Sequence, residues 1–196
     1  MSIESLVNYF KTKDLSGVDI QNLTGRAPVL YTDLKKFQSV NELLGAKKYV
    51  IILYQTSSIT TGHFVCLREN DKNEISFFDS YGFKYDSEQH FGARFDLNVP
   101  HYLTQLIEKD GRPCDYNKFD FQRKRPNVAT CGRWSSIAAL WKNLAFDEIR
   151  SLMTNNPDPW LNDYDNIATI LTVLPIHNIR DFFQRKTSLS IPMGKI

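Results

Sequence analysis

Three strand-length runs between residues 49 and 78 constrain the fold more than any other feature of this chain. Tyr49-Val-Ile-Ile-Leu-Tyr54 is a β-branched apolar run, the pattern of a buried strand. Phe64-Val-Cys-Leu67 and Ile75-Ser-Phe-Phe78 follow, with Asn70-Asp71-Lys72-Asn73 supplying turn chemistry between them, so a hairpin is expected beside the buried strand. Helical spacing dominates on either side. Ile3, Leu6, Val7 and Phe10 predict a short helix that Ser2 can cap, with Glu4 just inside it. After the turn cluster Thr24 to Pro28, Tyr31, Leu34 and Phe37 and then Val40, Leu43 and Leu44 predict one or two more, so residues 1–48 are expected to be mostly helical.

Downstream, Tyr102 to Ile107 reads as a helix and Tyr116 to Gln122 as a further strand. From Cys131 onward, Trp134, Ile137, Ala138, Trp141, Leu144 and Ala145 keep a helical period, which predicts a helix that begins at the cysteine. Asn155 to Pro159 breaks the chain. Ile167, Ile170, Leu171 and Leu174 mark a helix ending before Pro175, Ile179, Phe182 and Phe183 a last one, and residues 186–196 a loosely held tail. The expectation is an α+β fold with a mostly antiparallel central sheet flanked by helices.

A length of 196 residues suits one core better than two, so residues 1–196 are expected to form a single domain. With 42% apolar and 23% charged residues the composition is that of an ordinary globular protein, and no apolar run reaches membrane-spanning length. The segment Met1 to Phe10 lacks a basic region followed by a long apolar core, which predicts a protein that is not secreted. Three cysteines, Cys66, Cys114 and Cys131, form no paired spacing, so a reducing compartment and at least one free thiol are expected. A net charge of +2 does not mark a dedicated nucleic-acid binder, although Arg123-Lys124-Arg125 forms a local basic cluster that a polyanion could engage.

The chemistry-bearing residues fall in the order histidine, aspartate, cysteine. Cys131 is placed at a helix N-terminus, where unpaired N–H groups and the macrodipole favour a thiolate. Gly132 after it leaves room for the backbone of a peptide substrate, and the N–H near the cysteine can face an oxyanion. His63, between Gly62 and a strand, would project from the strand edge as a general base. Asp79 ends the run Ile75 to Phe78 beside it, where a carboxylate can orient the imidazole and stabilise its charged form. Gln122, nine residues before Cys131, offers a side-chain amide as a second oxyanion donor. Taken singly, each has a plainer reading: a small buried helix-start cysteine, a surface histidine, a turn aspartate, a surface glutamine. A phosphatase loop would need arginine six positions after the nucleophile, where the chain has Ile137, and alternation points His63 and Cys66 to opposite faces, so no metal site is expected.

Gly62-His63-Phe64-Val65, Ile75 to Gly82, Gln122 and Thr130-Cys131-Gly132 together resemble the adenovirus-type cysteine proteases, in the branch found in virophages, Polinton-like elements and large DNA viruses. The resemblance runs from about Tyr49 through the helix after Cys131, and Tyr164 to Thr172 is similar to a later helix of that family. It departs from many relatives in having Phe64 where they carry tryptophan, and in the longer spacing from Gln122 to Cys131.

The resemblance implies a papain-like fold in permuted order, with Cys131 as nucleophile, His63 as base, Asp79 as its orienter and Gln122 as oxyanion donor. It implies a monomeric endopeptidase that matures capsid or scaffold precursors in the virion and host cell interior, whether a cytoplasmic virus factory or the nucleus. No cofactor is required by that chemistry, though it is compatible with a DNA or peptide activator; the adenoviral branch is assisted by DNA, and a polyanion would have Arg123, Lys124 and Arg125 as its contact. Three alternatives share the residue order: a protease removing ubiquitin-like modifiers, an acyltransferase, and a non-enzymatic virion protein that keeps the fold, with or without nucleic-acid binding.

Overall fold

The computed structural model describes residues 3–56, 62–87, 100–154 and 159–173. Five strands form one sheet in the order β1 (Val29–Leu30), β2 (Tyr49–Gln55), β3 (Gly62–Glu69), β4 (Ile75–Phe78) and β5 (Cys114–Tyr116). The fold is α+β, and the sheet is mixed. Its centre, β2 on β3 and β3 on β4, is antiparallel as expected, but both edges are parallel: β1 on β2 and β4 on β5. Parallel neighbours need a long crossover. The first runs through a 3₁₀ turn, Tyr31–Lys36, and helix α3, Val40–Leu44; the second includes helix α4, Tyr102–Asp110.

The unbroken apolar run of β2 follows from this layering, because a strand covered on both faces has no solvent side to alternate toward. Tyr49, Ile51 and Leu53 join Phe64, Cys66 and Phe78 on one face, under helices α1 (Ile3–Lys11), α2 (Gly17–Thr24), α5 (Cys131–Leu140), α6 (Phe146–Met153) and α7 (Tyr164–Val173). Val50, Ile52 and Tyr54 join Val65, Leu67 and Phe77 on the other, under the 3₁₀ turn, α3 and α4. The expected helical start of the chain is seen in α1, α2 and α3, interrupted by the two-residue edge strand β1.

Two element boundaries differ from the sequence reading. The strand expected over Tyr116 to Gln122 stops at Tyr116, because the next side chain takes over the pairing. Asn117 Oδ1 accepts the Asp79 N–H at 2.9 Å and its Nδ2 donates to Asp79 O at 2.5 Å, after which the chain leaves the sheet. The helix expected to run on to Ala145 ends at Leu140. Arg68 of β3 closes this end, its guanidinium donating to the carbonyl oxygens of Ala138 in the last turn (3.1 Å) and of Trp141 (2.9 Å) and Leu144 (2.7 Å) just beyond it. Burial lowers the Arg68 pKa to about 10, and the charge is offset at the negative end of the α5 macrodipole and over the Phe146 ring. Ser2, residues 155–158, Leu174, Pro175, the helix expected around 179–183 and the tail 186–196 lie outside the described residues. Among the described residues no helix is long and apolar enough to cross a membrane.

Candidate active site

His63 is the second residue of β3 and Asp79 the first residue after β4, so the central hairpin carries both. The His63 Nε2 lies 3.2 Å from Asp79 Oδ1, with the histidine 8% and the aspartate 0% exposed. A buried carboxylate takes the N–H at Nε2, which leaves the basic lone pair on Nδ1. The structure corrects one expectation here: His63 is not an exposed strand-edge residue but is held between Asp79 and the Tyr81 ring, which stacks on it at 4.9 Å and 16°.

Gly62 is required by this arrangement, since a Cβ there would stand 1.8 Å from Tyr54 O, inside the neighbouring strand's backbone. Asp79 is fixed in turn by Asn117 through its main chain, and by the Tyr81 N–H donating to its Oδ1 at 2.6 Å. Its Oδ2 has no hydrogen-bond partner among the described residues.

Cys131 is the first residue of α5, as the sequence predicted, and is partly buried. By helix geometry its N–H has no intrahelical acceptor. The helix is seated against the residue next to His63. Ser135 Oγ donates to Phe64 O at 2.9 Å, and Gly132 packs so closely that a Cβ on it would meet the Phe64 ring at 3.2 Å and Leu15 at 3.3 Å. Gly132 therefore serves close packing of helix on strand, not access for a substrate backbone. The other two thiols are held in the neutral form, since burial pushes both Cys66 and Cys114 up to about 12.

Gln122 sits in the loop after β5 and is 2% exposed. Its Oε1 accepts from Ser80 Oγ at 2.9 Å, its Nε2 donates to Val128 O at 3.3 Å, and its main-chain N–H, with that of Phe121, bonds Ser80 O. An amide nitrogen carries two N–H bonds, and Val128 takes one. Gln122 also lines a small hollow of about 240 Å³ with Phe121, Arg123 and Tyr164.

The four residues Asp79-Ser80-Tyr81-Gly82 thus hold the site together. Asp79 and Tyr81 hold the histidine, Ser80 holds Gln122, and Gly82, at φ 75°, lets the turn pass within 3.0 Å (as Cβ) of the Phe119 backbone. Only the first of the four was singled out from sequence for chemistry; Ser80 and Tyr81 were hidden because the same letters make an ordinary turn.

The basic triplet is largely engaged within the molecule. Arg123 lies 3.5 Å from Asp163 Oδ2, and Lys124 pairs with Asp120 at 3.6 Å and covers the Phe83 ring at 4.9 Å and the Tyr81 ring at 5.6 Å. Arg125 is exposed and makes no ion pair among the described residues. A larger hollow of about 640 Å³ lies at the far end of β4, lined by Arg68, Ser76, Arg112 and Lys142. It contains none of the candidate catalytic side chains. Among the described residues no group of three or more His, Cys, Asp or Glu is arranged to hold a metal ion.

No family model matches the chain. It is 29% identical over 174 residues, 85% of its length, to an uncharacterised protein, V9, of Sputnik virophage, and covers 98% of that protein. A central domain of the uncharacterised Lpg1148 protein from Legionella pneumophila aligns with 82% of the chain at 14% identity and a TM-score of 0.39, covering 98% of that domain.

Proposed function

We propose that the protein is a cysteine endopeptidase of a virophage-like element, acting on capsid or scaffold precursors during virion assembly. The observation that carries this reading is a buried His63–Asp79 pair next to Phe64, the residue on which the helix begun by Cys131 is seated. A bare histidine or a bare helix-start cysteine has common structural explanations. A buried carboxylate whose one oxygen meets an imidazole nitrogen and the Tyr81 N–H, while its second has no partner among the described residues, has few.

In this reading the Cys131 thiol gives its proton to His63 Nδ1, and the sulfur attacks the scissile carbonyl carbon. The Cys131 main-chain N–H and the second N–H of the Gln122 amide take the oxyanion. His63 then donates its proton to the leaving amine, and Asp79 stabilises the imidazolium between the two transfers. Water, deprotonated by His63, attacks the thioester carbon, and the carboxylic product leaves as Cys131 recovers its proton. The similarity to a virophage protein supports the viral setting, and the two neutral thiols support Cys131 as the reactive one.

The test is co-expression with the capsid proteins of the same genome, with Cys131 intact or replaced by serine. Cleavage products that appear only with Cys131 support the reading, and a peptide-cleaving preparation inhibited by iodoacetamide extends it. Unchanged precursors in both arms, together with a Cys131 thiol no more reactive than Cys66, would leave a non-enzymatic virion protein as the better description. Cleavage confined to ubiquitin-like fusions would retain the chemistry and replace the substrate.

A further inference from the structure

Asp165 lies in the first turn of α7, far in sequence from every candidate catalytic residue, yet its carboxylate is 0% exposed and meets the site from behind. Its Oδ1 accepts a short hydrogen bond from Thr130 Oγ, the residue just before Cys131, and another at 3.3 Å from Trp134 Nε1 within α5. Its Oδ2 accepts the main-chain N–H of Arg123, the residue just after Gln122, at 3.0 Å. One carboxylate therefore joins the two segments that would supply the oxyanion donors, the start of α5 and the Gln122 loop.

A buried carboxylate with no cationic partner among the described residues is costly to keep. Burial pushes the Asp165 carboxyl up, against the hydrogen bonds from Thr130, Arg123 and Trp134. Its three donors lie on two separate segments, Thr130 and Trp134 at the start of α5 and Arg123 in the Gln122 loop, so what the carboxylate fixes is the geometry of one segment against the other.

We infer that Asp165 is a positioning residue that sets the separation between the Cys131 N–H and the Gln122 amide, an inference that rests on the hydrolase reading above. Asparagine tests it because it keeps the size and loses one acceptor. With its oxygen turned to Thr130 and Trp134, its NH₂ must face the Arg123 N–H, donor against donor, and the Gln122 loop is released while the helix start stays in place.

The experiment compares wild type and Asp165→Asn on a cleavable peptide, together with iodoacetamide labelling of Cys131 and amide exchange at Arg123 by NMR. The expected result is kcat lower by roughly 10²-fold, with KM and the labelling rate within about twofold and faster exchange at Arg123. A merely structural role would lower kcat, labelling and folded fraction together, and that pattern overturns the inference. So does an Asp165→Asn enzyme with wild-type kcat, or one whose Arg123 exchange is unchanged. A wild type that cleaves nothing and whose Cys131 is unreactive overturns the hydrolase reading first, and with it the oxyanion role of Asp165. The Asn117→Ala variant, disturbing a site support with no bond to Arg123, controls for general loosening: it should leave Arg123 exchange as in wild type.

Discussion

Asp79 and Asp86 stand seven residues apart in the stretch after β4, and both are buried, at 0% and 5% exposure. Asp86 is saturated. Its Oδ1 accepts from Tyr31 at 2.5 Å and Tyr54 at 3.3 Å, and its Oδ2 accepts from the Thr104 N–H and Oγ, each at 2.7 Å, so it caps α4 and ties it to the sheet. Asp79 is spare: Oδ1 serves His63 and the Tyr81 N–H, while Oδ2 has no partner among the described residues. Saturation marks a carboxylate that the fold uses as an adhesive. In the proposed mechanism Asp79 serves instead a charge that appears on His63 only during the reaction.

The comparison can be broken in four places. The largest effect belongs to Cys131→Ala, which should abolish peptide hydrolysis and leave the melting temperature near wild type; mass spectrometry of the digested peptide with a parallel thermal melt checks both. Asp79→Asn should lower kcat roughly 10³–10⁴-fold with little change in stability, since an amide holds the ring but does not stabilise its cation. If that variant instead loses stability and keeps its turnover, Asp79 is an adhesive like Asp86.

Asp86→Ala should do the reverse. It removes an acceptor from the Tyr31 and Tyr54 hydroxyls and from the N–H and hydroxyl of Thr104, at a cost of about 3–5 kcal/mol in urea unfolding, while turnover per folded molecule stays within about threefold. The smallest effect is in acid. Arg112, bonded to both oxygens of Asp110 at 2.5 and 2.9 Å, holds that carboxyl below its ordinary value. The stability this contributes is fully present above the unfolded-state pKa, about 4, and is lost as pH falls through the lower folded value. Urea midpoints measured from neutral pH downward should fall less steeply in this range for Arg112→Met than for wild type.

Much of this was legible in the sequence, for physical reasons that can be named. The runs at Tyr49, Phe64 and Ile75 announced the sheet because strands buried on both faces have no polar alternation. Cys131 at a helix start was visible because the apolar period begins there. The strand end at Tyr116 was not, because a side chain, Asn117, performs the pairing that a backbone normally does. The end of α5 was hidden for a similar reason: Trp141 and Leu144 keep packing against the core after the helix has stopped. Ser80, Tyr81, Thr130 and Asp165 act through partners 18 to 42 residues away, which no local pattern records.

The anchoring of α5 at its C-terminal end by Arg68 makes the helix a spacer of defined length and phase. Ten residues span about 15 Å, and each residue turns the axis by about 100°. Inserting or deleting one residue between Cys131 and Ala138 would leave Arg68 its carbonyls only by swinging Cys131 about a quarter turn around the helix axis. Residues 124–127, which form no helix or strand and lie between the anchored Arg123 and Val128, carry no such phase. Length variation among related chains should therefore collect before Cys131 and stop abruptly at it.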